Sequence, residues 1–411
     1  MKALRHRLCL RIGVPLLLLL CLAGCERPTK TPPPPTAPLP PLRLLTVGEL
    51  PLFSDDSDLA ALEEAIRHSL TYLRRLPPER QFTMGAEILT AEMTLRALAH
   101  FDAFLQTAPS PTELNDFVRA HYRVYRAVGT SEAEVVLFTG YYEPIIAGSR
   151  TPSVACGVPV LGRPDDLVTV DLERFAARFK GEILTGRLQG DHLVPYFERR
   201  EINNPALFGT RAKPIAWVAD PLDLFFLQVQ GSGQIALQDG SRLRVQYHGT
   251  NGHPYRSIGR HLIETGKIPR EEMSMQRIRS YLRAHPEEIE PVLNHNPSFV
   301  FFRIAEDGPL GALNVPLTPG RSIALDRRIF PPAALCFIQS QKPVTDGTGQ
   351  IVDWRPFSRF VLNQDTGGAI QGPGRADLFW GSGAIAEISA GHLQHPGSLF
   401  ILVLNQDRPR S

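Results

Sequence analysis

Residues 360–390 read F-V-L-N-Q-D-T-G-G-A-I-Q-G-P-G-R-A-D-L-F-W-G-S-G-A-I-A-E-I-S-A, and this stretch narrows the possible folds more than any other. An apolar run at Phe360, Val361 and Leu362 leads into Asp365. Gly367, Gly368, Gly372, Pro373 and Gly374 then turn the chain, and Asp377 opens a second apolar run, Leu378 to Trp380. The pattern predicts two short strands joined by a glycine-rich loop, with a carboxylate at the end of each. Glycine allows the backbone positive φ and close approach to a ligand. A carboxyl held beside such a loop and partly removed from water has a raised pKa and can keep a proton near neutrality, as a general acid must. The simpler alternative is that both aspartates only cap turns.

The first 24 residues contain Lys2, Arg5, Arg7 and Arg11, then the apolar run V-P-L-L-L-L-L-C-L, then Leu22-Ala23-Gly24 before Cys25. A basic segment, a short apolar core and a small-residue cleavage site make an export signal; the apolar core is too short for a membrane span. L-A-G-C resembles the bacterial lipobox, which implies lipidation at Cys25. Glu26 behind it, where retained lipoproteins carry Asp, implies the outer membrane, with the protein facing the periplasm. The first 24 residues hold four basic and no acidic side chains, so the mature chain keeps 40 Lys plus Arg against 42 Asp plus Glu. Without a basic excess, nucleic acid is not an expected partner. Of the five cysteines only Cys156 and Cys336 remain beyond the anchor. The compartment permits a disulfide between them, but a chain this long needs no staple, so two unpaired buried thiols are expected.

Eight prolines between residues 27 and 42 predict an extended, semi-rigid spacer, so residues 25–42 form a lipid-anchored linker. Apolar residues at helical spacing predict helices over 58–76 and 90–106, and Ser110-Pro111-Thr112-Glu113 is a capping box that opens a third. A strand-like run at 134–138 delivers Thr139-Gly140-Tyr141-Tyr142-Glu143-Pro144, aromatic side chains suited to stacking on sugar rings. Adjacent tyrosines on a strand face opposite ways, so one of them is expected in the core.

Between about 151 and 304, short β-like runs (214–218, 224–229, 235–237 and 243–247) alternate with Gly- and Asn-rich turns. They predict a small β unit with a helical insertion near 273–284. Gln230-Gly231-Ser232-Gly233 lacks the Lys-Ser/Thr pair of a phosphate loop, and its amides and hydroxyl suit a neutral polyhydroxy ligand. The loop containing Tyr255 and Arg256 is of the same kind. Asp326, flanked by Arg327 and Arg328, is expected to be ion-paired and structural, because a neighbouring guanidinium lowers its pKa. The twelve histidines show no metal-ligand spacing and no G-x-S-x-G elbow is present, so neither metal nor cofactor is implied.

F-T-G-Y-Y-E-P (138–144), Q-V-Q-G-S-G (228–233), N-G-H-P-Y-R-S-I-G (251–259), M-S-M-Q-R-I-R (273–279), N-P-S-F-V-F-F (296–302) and the set Asp326, Asp365 and Asp377 follow one another in order. Together they resemble the membrane-bound lytic murein transglycosylase A family, whose C-terminal part is a three-aspartate domain. The resemblance implies a mainly β protein with helices. A large double-psi β-barrel domain would comprise 43–150 and 305–405, with the N-terminal helices attached. A smaller β-barrel domain, 151–304, would be inserted into it, with a groove between the two. It implies Asp377 as the single catalytic acid, Asp365 and Asp326 in support, and substrate contacts from Thr139, Gly140, Tyr141, Tyr142, Gln230, Gly231, Ser232, Gly233, Tyr255, Arg256 and Trp380. The implied reaction cleaves the β-1,4 bond between N-acetylmuramic acid and N-acetylglucosamine in peptidoglycan glycan strands. The C6 hydroxyl of the muramyl residue attacks its own C1, so effective concentration replaces the second carboxylate of an ordinary glycosidase. Cell-wall synthesis or division complexes are candidate partners.

Two other classes are compatible with the residues. A peptidoglycan-binding lipoprotein without activity needs the aromatics and glycine loops but not the acid. An aspartic peptidase is suggested by Asp365-Thr366-Gly367, yet the chain has no second such triplet to share a proton with it.

Overall fold

The computed structural model describes residues 40–129, 134–179, 181–346 and 349–405. The export signal, Cys25 and all but the end of the proline-rich linker lie outside the described residues.

Eight strands form the main sheet, in the order Leu42–Leu44, Tyr122–Ala127, Gln394–Leu404, Leu335–Thr345, Ile351–Asp365, Ser322–Ala324, Arg375–Ser382, Val136–Glu143. Strand Gln394–Leu404 divides its length between two neighbours. Phe400 to Leu404 pair with Tyr122–Ala127, while Gln394 to Gly397 pair with Val136–Glu143. That second pairing closes the last six strands into a barrel and covers the edge that Val136–Glu143 would expose, leaving Leu42–Leu44 as the outer strand. Two of the barrel's pairings are parallel: Arg375–Ser382 with Val136–Glu143, and Ser322–Ala324 with Ile351–Asp365. The fold is thus mainly β with helices, built on the closed barrel that the sequence leads one to expect.

Period-two alternation divides the strands' apolar residues between two cores. Cys336, Ile338, Val361, Leu378, Leu399 and Ile401 belong to one, together with Phe138 and Ile323. Their neighbours Phe337, Phe360, Leu362, Phe400 and Leu402 belong to the other, packed against Leu62, Ile66, Leu70, Leu98 and Phe101 of two helices, Leu59–Leu73 and Ala91–Leu105. Each helix starts where its cap dictates: Asp58 accepts from the Ala60 N–H, Thr90 from Met93, and Ser110 and Glu113 form the reciprocal box of Pro111–His121. A buried ion pair fastens the segment before the first of these helices. Arg321 donates to both carboxylate oxygens of Asp55 at 2.7 and 2.9 Å and to the carbonyls of Phe360 and Asp58.

At Pro144 the chain leaves the barrel and enters a second sheet, ordered Val300–Ala305, Arg242–Thr250, Ser232–Ala236, Ile145–Ser149, Pro214–Val218, Val158–Leu161. A bridge between Gly162 and Phe302 draws its two edges together. Residues 224–229, expected as a strand, are helical: Pro221–Gln230 is an α-helix. Asp220 caps its N-terminus, Pro221 occupies its first turn and Gly231, at φ +80°, ends it. A short apolar run has no diagnostic period, and here the start and stop signals decide. This helix packs with Ile258–Glu264, Met275–Ala284 and Pro286–Asn294 around Phe225, Phe226, Leu262, Ile278 and Leu282, so the inserted unit is more helical than its turn-rich sequence suggests. Cys156 and Cys336 are both buried and unpaired.

Candidate active site

One row of residues crosses the barrel wall. Asp365 is in register with Ala324, Ala324 with Asp377, Asp377 with Thr139, and Thr139 with Gln394. Register partners share a face, and two strand spacings separate the Asp365 and Asp377 backbones by about 10 Å. Asp377 lies inside strand Arg375–Ser382, and Asp365 is the last residue of Ile351–Asp365.

The Thr139 hydroxyl donates to Asp377 Oδ1 at 2.9 Å and accepts from Arg375 Nη2 at 3.3 Å. With its lone pair engaged by Arg375, the hydroxyl is oriented as a donor toward the carboxyl. Burial pushes the Asp377 pKa up to about 6, against the Thr139 bond and the Arg375 charge, with Asp365 adding to the rise. Asp365 is also pushed up to about 6 by burial, although the Thr366 and Ala312 N–H groups both donate to its Oδ1 at 2.9 Å. Both side chains retain partial solvent access.

Asp326 behaves oppositely. Burial alone would raise its pKa, but Arg328 Nε and Nη2, at 2.9 and 2.6 Å, and the Gly372 and Arg328 N–H groups hold it below the ordinary value. Through Gly372 it ties the glycine-rich loop to the end of strand Ser322–Ala324.

The two tyrosines face opposite ways. Tyr141 packs with Leu317, Ala324 and Phe379, its ring centroid 5.2 Å from that of Phe379. Its hydroxyl is buried on the side of Asp365 and Asp377 and makes no hydrogen bond of good geometry. Tyr142 packs with Ala386, Ala390, Met275 and Trp380, and its N–H donates to Gln230 Oε1 at 2.9 Å. At 8 % and 3 % exposure neither ring presents an open face for a sugar.

Beside Thr139 a cleft of about 250 Å³ opens between barrel and insert. Thr139, Gly140, Tyr142 and Gln394 line one side; Gln230, Phe226, Tyr255, Ser257, Met273 and Met275 line the other. Five expected contacts, Thr139, Gly140, Tyr142, Gln230 and Tyr255, therefore come together. Gly140 is required for packing: a Cβ there would lie 2.7 Å from Trp380 Nε1 and 2.8 Å from the Ala390 Cα. Tyr141 and Trp380 stand behind the lining. Gly231 and Ser232 form the turn from helix to strand, and a Cβ on Gly233 would lie 2.4 Å from Leu227 Cδ1, so close packing accounts for that glycine. Arg256 donates its backbone N–H to Asn296 Oδ1 while its side chain is exposed outside the lining. Arg375 was missed in the sequence, although its place two residues before Asp377 puts it on the same strand face. Gln394 carried no sequence signal. Among the described residues no group of three His, Cys, Asp or Glu is placed to hold a metal ion.

A closed β-barrel with a row of proton-holding carboxyls at its wall, interrupted by an inserted domain that completes a cleft, defines a two-domain carboxyl-site protein. Residues 137–303 match the model of the MltA specific insert domain and residues 321–403 that of the 3D domain. The chain is 34 % identical over 270 residues to the membrane-bound lytic murein transglycosylase A of Escherichia coli K12, and the match spans 65 % of the length of each protein. A crystal structure of a membrane-bound lytic murein transglycosylase from Agrobacterium tumefaciens superposes with a TM-score of 0.73 at 32 % identity, covering 88 % of this chain and 97 % of that one. The structure of E. coli MltA with bound chitohexaose gives 0.64 at 27 % identity, covering 89 % and 94 %. The chain belongs to the membrane-bound lytic murein transglycosylase A family.

Proposed function

We propose that this chain is a lytic transglycosylase that cleaves the β-1,4 bond between N-acetylmuramic acid and N-acetylglucosamine in peptidoglycan, with Asp377 as acid and then base. The observation that carries the reading is the Asp377 carboxyl, pushed up to about 6 by burial and held by one hydrogen bond from Thr139, which lines the cleft of about 250 Å³. A proton held there near neutrality protonates the glycosidic oxygen as the bond breaks. The resulting carboxylate takes the proton from the muramyl C6 hydroxyl as O6 closes on C1, giving a 1,6-anhydromuramyl end. The ring closure is intramolecular, so no second carboxylate is needed to activate water. Asp365, with two backbone N–H donors on one oxygen, supports Asp377 by disfavouring loss of its proton. Asp326, held ionised by Arg328, is unsuited to be the acid and anchors the loop instead. The names of the relatives, and the hexasaccharide in the E. coli structure, support a glycan substrate.

We take Cys25 as the lipid anchor, the proline-rich stretch as its spacer and the outer membrane as the site of attachment. We also take the barrel domain to end at residue 143 and to resume after residue 305, because strand Ile145–Ser149 pairs within the second sheet.

Digestion of purified sacculi followed by mass analysis of the sugar ends tests the activity. Ends lighter by one water than reducing muramyl ends are expected; reducing ends would make the protein a hydrolase, and no release a binding protein. Cys25→Ala is expected to give a soluble periplasmic protein of unchanged activity, and membrane attachment of that variant would remove the anchor assignment.

A further inference from the structure

Beyond the cleft, strand Arg242–Thr250 carries a feature that the reaction leaves unused. Its ladder with Val300–Ala305 shifts register between Tyr247 and Gly249, so His248 bulges out of the pairing. Tyr247, 48 % exposed, and His248 stand open to solvent there. Guanidinium groups gather round the bulge. Arg303 sits opposite Gln246 and reaches its Oε1 at 3.4 Å. Arg163, held by its bond to the Leu167 carbonyl at 2.6 Å, brings Nε within 3.6 Å of a Cβ position at Gly249. From the barrel side Arg327 acts on the Tyr247 hydroxyl, while Arg163 and Arg303 both act on His248. None of the three arginines makes an ion pair among the described residues, although the ion pairs elsewhere include Arg328 with Asp326 next door. Unmatched cations of this kind repel one another, which an anionic ligand relieves.

The cluster is joined to the reaction centre by short links. The Tyr247 N–H donates to the Gly231 carbonyl, one residue from the Gln230 that holds Tyr142. Gln246 Nε2 donates to the Leu310 carbonyl at 3.2 Å and Arg244 to that of Gly308; two residues beyond Leu310, the Ala312 N–H holds Asp365. Strand Arg242–Thr250, which carries the bulge, is thus tied through the 308–312 segment to the chain that holds Asp365, and the three arginines stand outside the lining of the cleft beside Thr139.

We propose that Arg163, Arg303 and Arg327, with Tyr247 and His248, bind the carboxylates of the peptide carried by muramyl residues, so that the protein prefers peptide-bearing glycan over bare glycan. The inference rests on the transglycosylase reading and adds a substrate preference to it. A stripped strand carries one lactyl carboxylate on each muramyl residue, whereas an attached peptide turns that group into an amide and brings its own free carboxylates farther from the sugar, where planar guanidinium groups outside the cleft can bind them.

The test compares initial rates on glycan strands with peptides intact and on strands stripped by an amidase, at low and raised salt, for the unmodified protein and for Arg303→Gln and Arg327→Gln. Neither residue belongs to the catalytic machinery. Each substitution is expected to lower kcat/KM on peptide-bearing strands by about threefold, as one partly exposed ion pair would, and to leave stripped strands unaffected; salt should erase the difference. Equal rates on the two substrates, or equal losses on both, overturn the preference while leaving the activity standing. If the unmodified protein cleaves neither substrate, the activity reading fails instead. Binding of the same two strand preparations to Asp377→Asn then decides the preference: tighter binding of peptide-bearing strands, weakened by Arg303→Gln in the same background, supports it, and equal binding overturns it.

Discussion

Two carboxyls that meet the glycine-rich loop have opposite character. Asp326, which grips the loop through the Gly372 N–H, is buried yet ionised, because Arg328 and two backbone N–H groups converge on it. Asp377, just after the loop, is surrounded by protein with a single hydroxyl as its donor, and its pKa rises to about 6. Burial raises both; the partners decide which way the balance falls. The aspartate with a matched cation serves as a fastening, and the one left short of donors retains a usable proton.

The sharpest way to break this contrast is Asp377→Asn, which keeps shape but cannot deliver a proton. Glycan cleavage is expected to fall by about 10² to 10⁴, the range that general acid catalysis supplies, with folding and sacculus binding retained. Near-normal release of anhydromuropeptides from that variant would move the acid to Asp365. Gly140→Ala should come next: with Trp380 Nε1 and the Ala390 backbone inside 3 Å, there is no room for the methyl group. A loss of roughly 1–3 kcal/mol in denaturant unfolding is expected, typical of an overpacked site, together with distortion beside Thr139. An unchanged midpoint would show that helix Ala384–His392 can move aside.

Asp326→Asn is expected to cost about 1–2 kcal/mol of stability, since the uncharged amide is a weaker acceptor for Arg328 and Gly372, and to lower kcat less than Asp377→Asn does. A larger loss of kcat than of stability would place Asp326 in the chemistry.

The pH dependence separates the two kinds of carboxyl. Asp365 and Asp377 hold protons in the folded chain up to about 6, whereas in the unfolded chain they lose them near 3.8. The folded state thus binds more protons between these values. Their stabilising contribution is complete below the lower one and is lost as pH rises through the upper. Asp326 has the opposite sign: its lowered pKa stabilises above the ordinary value, and that contribution is lost as pH falls through its folded pKa. Activity should decline as pH rises through about 6 and the Asp377 proton is lost, and Asp377→Asn should flatten part of the stability decline. The smallest effect is expected from Tyr141→Phe. Its hydroxyl faces Asp365 without a well-aligned hydrogen bond, so unfolding should shift by less than about 1 kcal/mol, while loss of the contact that lowers the Asp365 pKa moves the alkaline limb of the rate profile.

Much of the fold could be read from local patterns. The three N-terminal helices are set by spacing and caps that need no distant partner, as at Asp58, Thr90 and Ser110. The glycine-rich loop follows from turn chemistry, but the strand before it, read as short from the apolar run at 360–362, is 15 residues long and reaches back to Ile351. Residues 224–229 misled because an apolar run without polar punctuation has no period, and the capping signals at Asp220, Pro221 and Gly231 settle it as a helix.

The sequence by itself determined which side chains have the right chemistry: carboxyls beside a glycine-rich loop, Asp326 followed by two arginines, and two tyrosines on one strand. Only the tertiary structure decided their roles, because register and burial arise from pairings between distant segments. Asp377 meets Thr139 across 238 residues, and Arg375 enters the site through that same threonine. The raised pKa of Asp377 exists only once the barrel wall has packed around it, since desolvation depends on everything near the group and is invisible in its sequence neighbours.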